Sequence, residues 1–452
     1  MKNLLPLLFL VSLAACQNDA GKKSGSSTVD KKAMAHSVKT AFQHAWYGYK
    51  QYAWGHDALT PLSRNYRDWY AESLLMTPVD AYDSMKMLGM EDEAKEAKTL
   101  ILQRLNFNQD FSVQVFEVTI RLLGGLLSAY QMDGDEQFLF RATDLANRLL
   151  PAFNTPTGIP YRYVHLRTGA VRDSLNNPAE AGTLMLEFGT LSKLTGSPIY
   201  YEKAKKAMLA VYERHAETGL PGTVINAVTG EWVDTESHIT GRIDSYYEYM
   251  LKAWLLFGDE DFKKMWDSSV TALNTYLADT TATGFWYAHA DMNSGKKTGT
   301  YFGALDAFMP AVLALGGDLE RAKALQESCF KMWTLAGVEP EMLDYSTMKI
   351  TNPTYALRPE NIESAFYLHQ FTKDDRYLEM GKTMFDSIEK YCKTEAGYAA
   401  LKDVTTKEQA DDMESFFFAE TLKYAWLLFT AENWDFKNTV FNTEAHPIRK
   451  TW

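Results

Sequence analysis

The chain is poor in cysteine, with three among 452 residues, too few for a disulfide scaffold. It is also short of positive charge. Its 46 Lys and Arg stand against 58 Asp and Glu, a net charge of -12. That balance would repel phosphates and argues against a nucleic-acid partner. Beyond residue 15 no apolar run is long enough to cross a bilayer, which excludes a polytopic membrane protein. Aromatic residues, by contrast, are plentiful. Eleven Trp, 25 Tyr and 24 Phe rule out a disordered chain and supply flat faces on which a ligand could stack. A large folded body remains, of a length that could hold one domain or several.

The first residues read as an address. Lys2 precedes an apolar stretch from Leu4 to Val11, followed by Leu13-Ala14-Ala15-Cys16. The layout is that of a signal peptide over residues 1–15, too short and wrongly flanked for a transmembrane helix. Small residues followed by cysteine resemble a bacterial lipobox, which implies cleavage before Cys16 and a lipid on its sulfur. Gln17 follows, with no Asp to signal inner-membrane retention. Residues 16–33 then read as a flexible tether. The body, 34–452, is expected outside the cytoplasm, at an outer membrane or facing a periplasm, touching the membrane through its anchor alone. Cys329 and Cys392 lie on apolar helical faces and read as core thiols.

Apolar residues recur at helical spacing in about fourteen segments, from 35–54 through 412–430. Breakers such as Thr195-Gly196-Ser197-Pro198 and Gly316-Gly317-Asp318 separate them. Short alternating segments lie between helix pairs and read as hairpins. They are Tyr161–Leu166 into Thr168-Gly169, Thr223–Asn226 into Thr229-Gly230, Phe285–Ala288 toward Ser294-Gly295, and Gly397–Ala400 toward Thr405-Thr406. The first three recur at roughly 60 residues, which suggests about seven repeats of a helix pair with its connection. Such units stack in a solenoid or close in a ring. Acidic residues placed near the starts of otherwise apolar helices favour closure. Glu117, Asp244 and Glu360 would then converge at one end of a central cavity. Each singly could be a helix N-terminal charge suited to the macrodipole. Together, among aromatic side chains, they suit glycoside hydrolysis, in which one carboxyl protonates the leaving oxygen and another activates water.

The longer motifs carry a resemblance. They are His44–Tyr49, Asp57–Ser63, Phe116–Arg121, Leu150–Phe153, Thr155–Pro160, Asp244–Tyr249, Leu357–Glu360, Glu414–Thr421 and Phe441–Pro447. In this order they resemble the class I α-mannosidases, glycoside hydrolase family 47, from about His44 to Pro447. The resemblance implies an all-α (α/α)7 barrel with short hairpins in its connecting loops. It implies calcium-dependent, inverting removal of terminal α-1,2-linked mannose from oligosaccharides by a monomer. Carried over by position, Glu117 resembles the acid, acting through a water; Asp244 is the second acid candidate; Glu360 resembles the base. Thr443 resembles the residue that binds Ca2+ through its hydroxyl and carbonyl, with Glu360, Glu363, Glu420 and Glu444 holding the ion's waters. Phe416 resembles the ring beneath the terminal sugar, Arg121 and Arg358 match pocket-wall arginines, and Glu180 and Glu187 match acidic inner-helix positions. A lectin-like lipoprotein that binds mannosides without turnover is the alternative.

Departures concern specificity. A disulfide common in eukaryotic members would join positions near Ala307 and Cys329, and only Cys329 is present. Their Gly-His-Leu reads Gly303-Ala304-Leu305. Leu305–Pro310 looks like the degradation-enhancing branch of the family, whereas Arg242 looks like the reticulum-type enzymes that trim one branch.

Overall fold

A computed structural model describes residues 29–452. The signal peptide and most of the expected tether lie outside the described residues. The body starts slightly earlier than expected: α1, Lys31–Tyr52, is capped by Asp30, whose carboxylate accepts from Ala33 N at 3.0 Å.

The helical segments follow in the expected order. They are α2 (Met76–Met87), α3 (Glu91–Arg104), α4 (Val115–Val118), α5 (Gly124–Asp133), α6 (Glu136–Leu149), α7 (Pro178–Gly182), α8 (Met185–Thr195), α9 (Pro198–Tyr212), α10 (Asp244–Phe257), α11 (Glu260–Ala272), α12 (Met309–Leu315), α13 (Leu319–Ala336), α14 (Glu360–Thr372), α15 (Arg376–Tyr391) and α16 (Leu422–Thr430). A π-helical turn, Thr119–Leu123, joins α4 to α5, and another, Phe417–Thr421, leads into α16.

Two helix types alternate. In α6 the buried residues are Phe138, Ala142, Leu145, Ala146 and Leu149, one apolar stripe with a solvated opposite face. In α14 every residue from Asn361 to Gln370 is buried, as expected of a helix enclosed on all sides. The enclosed helices touch in sequence: α2 on α5, α5 on α8, α8 on α10, α10 on α12, α12 on α14, and α14 on α16. The turn before α16 returns to α2, and α1 packs over α16. The ring therefore closes: seven inner units, with the amphipathic helices α1, α3, α6, α9, α11, α13 and α15 around them. It is the expected (α/α)7 barrel.

Eight small antiparallel sheets occupy the connections among the described residues. Tyr163–His165 with Val171–Arg172 and Val224–Asn226 with Trp232–Asp234 form the expected hairpins. Two expectations are corrected. Gly284–Tyr287 pairs backward with Ala278–Thr281, and the strands flanking Ser294-Gly295 are His289–Asp291 and Lys297–Gly299. In the last hairpin the strand is Leu401–Asp403, paired with Glu408–Gln409, not Gly397–Ala400. In both cases a run of apolar β-formers marks a strand without specifying its partner. Cys329 and Cys392 are buried free thiols, as expected.

The strands Thr439–Phe441 and Pro447–Arg449 form a hairpin whose turn enters the ring beside α5. Gly124 makes room for it: a Cβ there would lie 2.5 Å from Asn442 Nδ2.

Candidate active site

Loops precede each inner helix on one rim, so residues at the helix starts face a common space. Asp244 and Glu360 are the first residues of α10 and α14, and Glu117 lies in the short α4. Backbone constraint fixes two of these starts. Arg242 and Leu357 adopt positive φ of 80° and 62°, which costs of the order of 1–3 kcal/mol each and persists where the surroundings enforce it. Ala179 N donates to Arg242 O at 2.8 Å, and the Thr421 hydroxyl donates to Leu357 O at 2.7 Å.

The helix starts enclose a cavity of about 300 Å3. Its wall includes Glu117, Arg121, Glu180, Arg242, Asp244, Arg358, Glu360, Glu363, Phe416, Glu420 and Thr443. Of the residues expected at the site, Glu187 and Glu444 lie off this wall: Glu187 is fully buried and accepts from the Tyr249 hydroxyl and the Asn442 amide, and Glu444 is 2% exposed and ion-paired to Arg121. Both sit behind the cavity wall.

Arg121 organises one side. Its Nε donates to Glu117 at 3.0 Å, a second nitrogen donates to Glu444, and Asp80 lies 3.6 Å away. Burial disfavours the guanidinium charge, but these carboxylates outweigh it and hold the pKa well above its usual value. Opposite, Arg358 binds Glu341 through two bonds of 2.9 and 3.1 Å. The Phe416 ring lies between them, 5.9 Å from the Arg121 guanidinium and 5.8 Å from that of Arg358. Glu180 is fixed by two bonds from Arg162, at 2.7 and 2.8 Å.

The remaining acids carry shifted protonation. Burial pushes Asp244 up to about 7, and Glu248 adds to the rise against hydrogen bonds from Ser245. Burial also lifts Glu360 to about 7, with Arg358 pulling the other way. Burial lifts Glu363 to about 8, opposed by Lys252 and reinforced by Glu248. Glu420 rises well above the usual range through burial and its neighbours Glu444, Glu360 and Glu363. Glu360 Oε2 is buried with no protein hydrogen-bond partner, an acceptor free to face a ligand.

Thr443 forms the cavity floor at the tip of the C-terminal hairpin. The Asn442 amide secures the turn, donating to Ile120 O at 2.9 Å and Glu187 at 2.7 Å. His446 is held between Asp83 at 2.6 Å and Asp80 at 3.2 Å, and Lys423 donates to Ala445 O at 2.6 Å. Thr443 N donates to the Tyr249 hydroxyl at 3.2 Å. Among the described residues, no group of three or more His, Cys, Asp or Glu is arranged to hold a metal. The wall instead offers a threonine hydroxyl and carbonyl with carboxylates around them, and no thiol or imidazole. That oxygen-only set fits a hard cation that keeps much of its water.

Several site residues escaped the sequence reading: Glu248, Glu341, Asn177 and Phe308. Glu248 stood inside a quoted motif, and its burial beside Lys252 was its only distinguishing feature. Glu341 becomes meaningful only through Arg358, which is 17 residues away.

A closed ring of seven helix pairs places the chain in the class of (α/α) barrels. A cellobiose 2-epimerase from Bacillus thermoamylovorans has this fold, with a TM-score of 0.57 at 12% identity, over 72% of this chain and 89% of that one. The particular assignment comes from closer matches. The model of glycosyl hydrolase family 47 matches residues 41–450, and the chain belongs to that family. It is 38% identical to alpha-mannosidase I of Arabidopsis thaliana, over 93% of this chain and 78% of that protein. It is 35% identical to mannosyl-oligosaccharide 1,2-alpha-mannosidase IB of Homo sapiens, over 93% and 70%. The solved alpha-1,2-mannosidase from Trichoderma reesei superposes with a TM-score of 0.86 at 30% identity, covering 94% of this chain and all of that one.

Proposed function

We propose that the protein is an exo-acting α-1,2-mannosidase that hydrolyses terminal mannose with inversion and requires calcium. The observation that carries this reading is the meeting of Glu117, Asp244 and Glu360 in one closed-ended cavity in a chain of this family. A cavity of about 300 Å3 suits one terminal sugar rather than an internal stretch of polymer. Phe416, flanked by two arginines, offers a ring face to the sugar's C–H surface.

Inversion needs an acid and a base on opposite sides of the sugar, with water between. Glu360 is the base: Arg358 favours its carboxylate, and Oε2 is free to take a proton from water as the water oxygen attacks C1. The leaving oxygen receives its proton from the Glu117–Asp244 side. Asp244 retains a proton near neutrality through its burial. Glu117, bound to Arg121, passes that proton on through a water.

Thr443 would hold calcium directly, and Glu360, Glu363 and Glu420 would hold its waters. When bound, the ion supplies a divalent charge and coordination positions open to sugar hydroxyls. A lipid anchor on Cys16 would place the enzyme outside the cytoplasm, facing mannose-rich glycans. The reading is tested by mannose release from an α-1,2-mannobioside with and without a calcium chelator. Release that survives thorough calcium removal would defeat the metal assignment; binding without release would favour the lectin-like alternative.

A further inference from the structure

Glu117 lies in the first turn of its helix, Val115–Val118, and the π turn that carries Arg121 separates it from the regular helix α5. Backbone N–H groups in a first turn have no partner within the helix, and no side chain caps this one at Gln114. Two groups from elsewhere in the chain hold it instead. Val115 N donates to Arg162 O at 3.0 Å, and Gln114 N donates to the Tyr70 hydroxyl at 3.2 Å. The residue before Tyr70, Trp69, presents its ring to Arg121, with 4.9 Å between ring centre and guanidinium, within the range of a cation–π contact. Arg121 is the residue that donates to Glu117. Two neighbours in one loop therefore reach Glu117 by separate routes, through the backbone that starts α4 and through its arginine partner.

That loop is itself braced. Asp57 is fully buried, and its carboxylate accepts from Trp69 N at 3.0 Å, Ser73 Oγ at 2.9 Å, Leu74 N at 2.9 Å and Met76 N at 3.1 Å. Asp68 returns the tie, accepting from Asp57 N at 2.9 Å. The indole Nε1 of Trp69 donates to Glu414 at 3.2 Å, and Arg67 pairs with the same carboxylate. The Tyr70 ring stacks on Phe111, with centroids 5.4 Å apart and planes at 12°. Neither Trp69 nor Tyr70 lines the cavity, so each acts on a bound sugar only through the residues it holds. We propose that Trp69 and Tyr70 are positioning residues for proton delivery, a clamp that aims Glu117 at the leaving oxygen. The proposal rests on the mannosidase reading.

A misplaced proton donor matters most where the leaving group needs a proton. The second mannose of an α-1,2-mannobioside would leave as an unstable alkoxide without one, whereas α-mannosyl fluoride releases a stable anion. The test is kcat and KM on both substrates for the calcium-saturated parent chain, Trp69→Leu, Trp69→Phe and Tyr70→Phe. On the mannobioside, Trp69→Leu should lower kcat about 10- to 100-fold with KM within about threefold of the parent. On the fluoride, its kcat should stay within about threefold. Trp69→Phe keeps a ring against Arg121 and should recover most of the loss. Tyr70→Phe removes only the hydroxyl that accepts from Gln114 N, and should show the same contrast at about two- to fivefold. Should Trp69→Leu not fold, Tyr70→Phe carries the test. Equal losses on both substrates, as a merely structural role would give, overturn the proposal alone, and so does a variant that loses nothing on the mannobioside. A folded parent that releases no mannose from the mannobioside overturns the mannosidase reading and the proposal with it.

Discussion

Glu360 carries the heaviest chemical demand of any residue in the cavity. As the proposed base it would accept a proton from water while buried among other acids, and its unpartnered Oε2 is the atom suited to do so. Glu360→Gln preserves shape and removes basicity. Turnover should fall by about 10²–10⁴-fold, whereas mannoside binding, measured by calorimetry, should remain within a few fold of the parent. Loss of binding in step with turnover would show that Glu360 holds the sugar rather than activates water. At this scale the meeting of Glu117, Asp244, Glu360 and Phe416 on one cavity wall was legible because their motifs are long and ordered. Their partners were not. Glu341 beside Arg358 and Arg162 beside Glu180 are single polar letters whose roles depend on side-chain contacts that no motif states. Conversely, Glu444 was legible as a member of the site but not as a residue behind its wall, since a motif does not state which way a side chain points.

At the scale of the element, the C-terminal hairpin matters most, because it carries Thr443 into the ring. It rests on a buried charge cluster in which Lys423 pairs with Asp83 at 2.7 Å and His446 pairs with both Asp83 and Asp80. The neighbouring charges outweigh burial and hold Asp83 down at about 2 and His446 up at about 9. Lys423→Met leaves Asp83 short of one cation and removes the bond to Ala445 O. Breaking a buried pair in this way costs about 3–5 kcal/mol, so urea unfolding should show a loss of that order. Calcium affinity should fall with it, as the turn loosens. An unchanged unfolding midpoint would mean that the hairpin is held by its apolar strands. Helix periodicity and breakers made the helices legible to within a few residues. The π turns at Thr119–Leu123 and Phe417–Thr421 were not, since one extra residue in a helical turn leaves the apolar pattern almost unchanged. Strand partners were misread where Phe285–Ala288 was matched to the following turn, because apolar alternation says nothing about direction of pairing.

At the scale of the whole molecule, the barrel concentrates carboxyls where water cannot reach them freely. Asp244, Glu187 and Glu360 are each raised to about 7, and Glu363 and Asp306 to about 8. Burial is the first cause in every case. Each group binds its proton more tightly folded than unfolded. Its contribution to stability is therefore complete below the ordinary carboxyl range and is lost as pH rises through 7 to 8. His446, raised to about 9, adds a loss of the same sign as pH rises above 6.5. The calcium-free protein should thus melt at progressively lower temperature between pH 5 and pH 8, as thermal scans in chelator would show. A melting temperature that rises across this interval would contradict the assigned burial of charge. Ring closure itself was legible from the repeat of about 60 residues, combined with acids at the starts of otherwise apolar helices.

The central claim is a chemical one, that opposed carboxyls in this cavity drive a single displacement at the anomeric carbon. The most direct measurement is proton NMR of the first sugar released from an α-1,2-mannobioside by the calcium-loaded protein, before mutarotation. The account predicts that β-mannose appears first, with the α anomer growing in afterwards. Initial release of α-mannose, or no release by the folded, calcium-saturated chain, would contradict it.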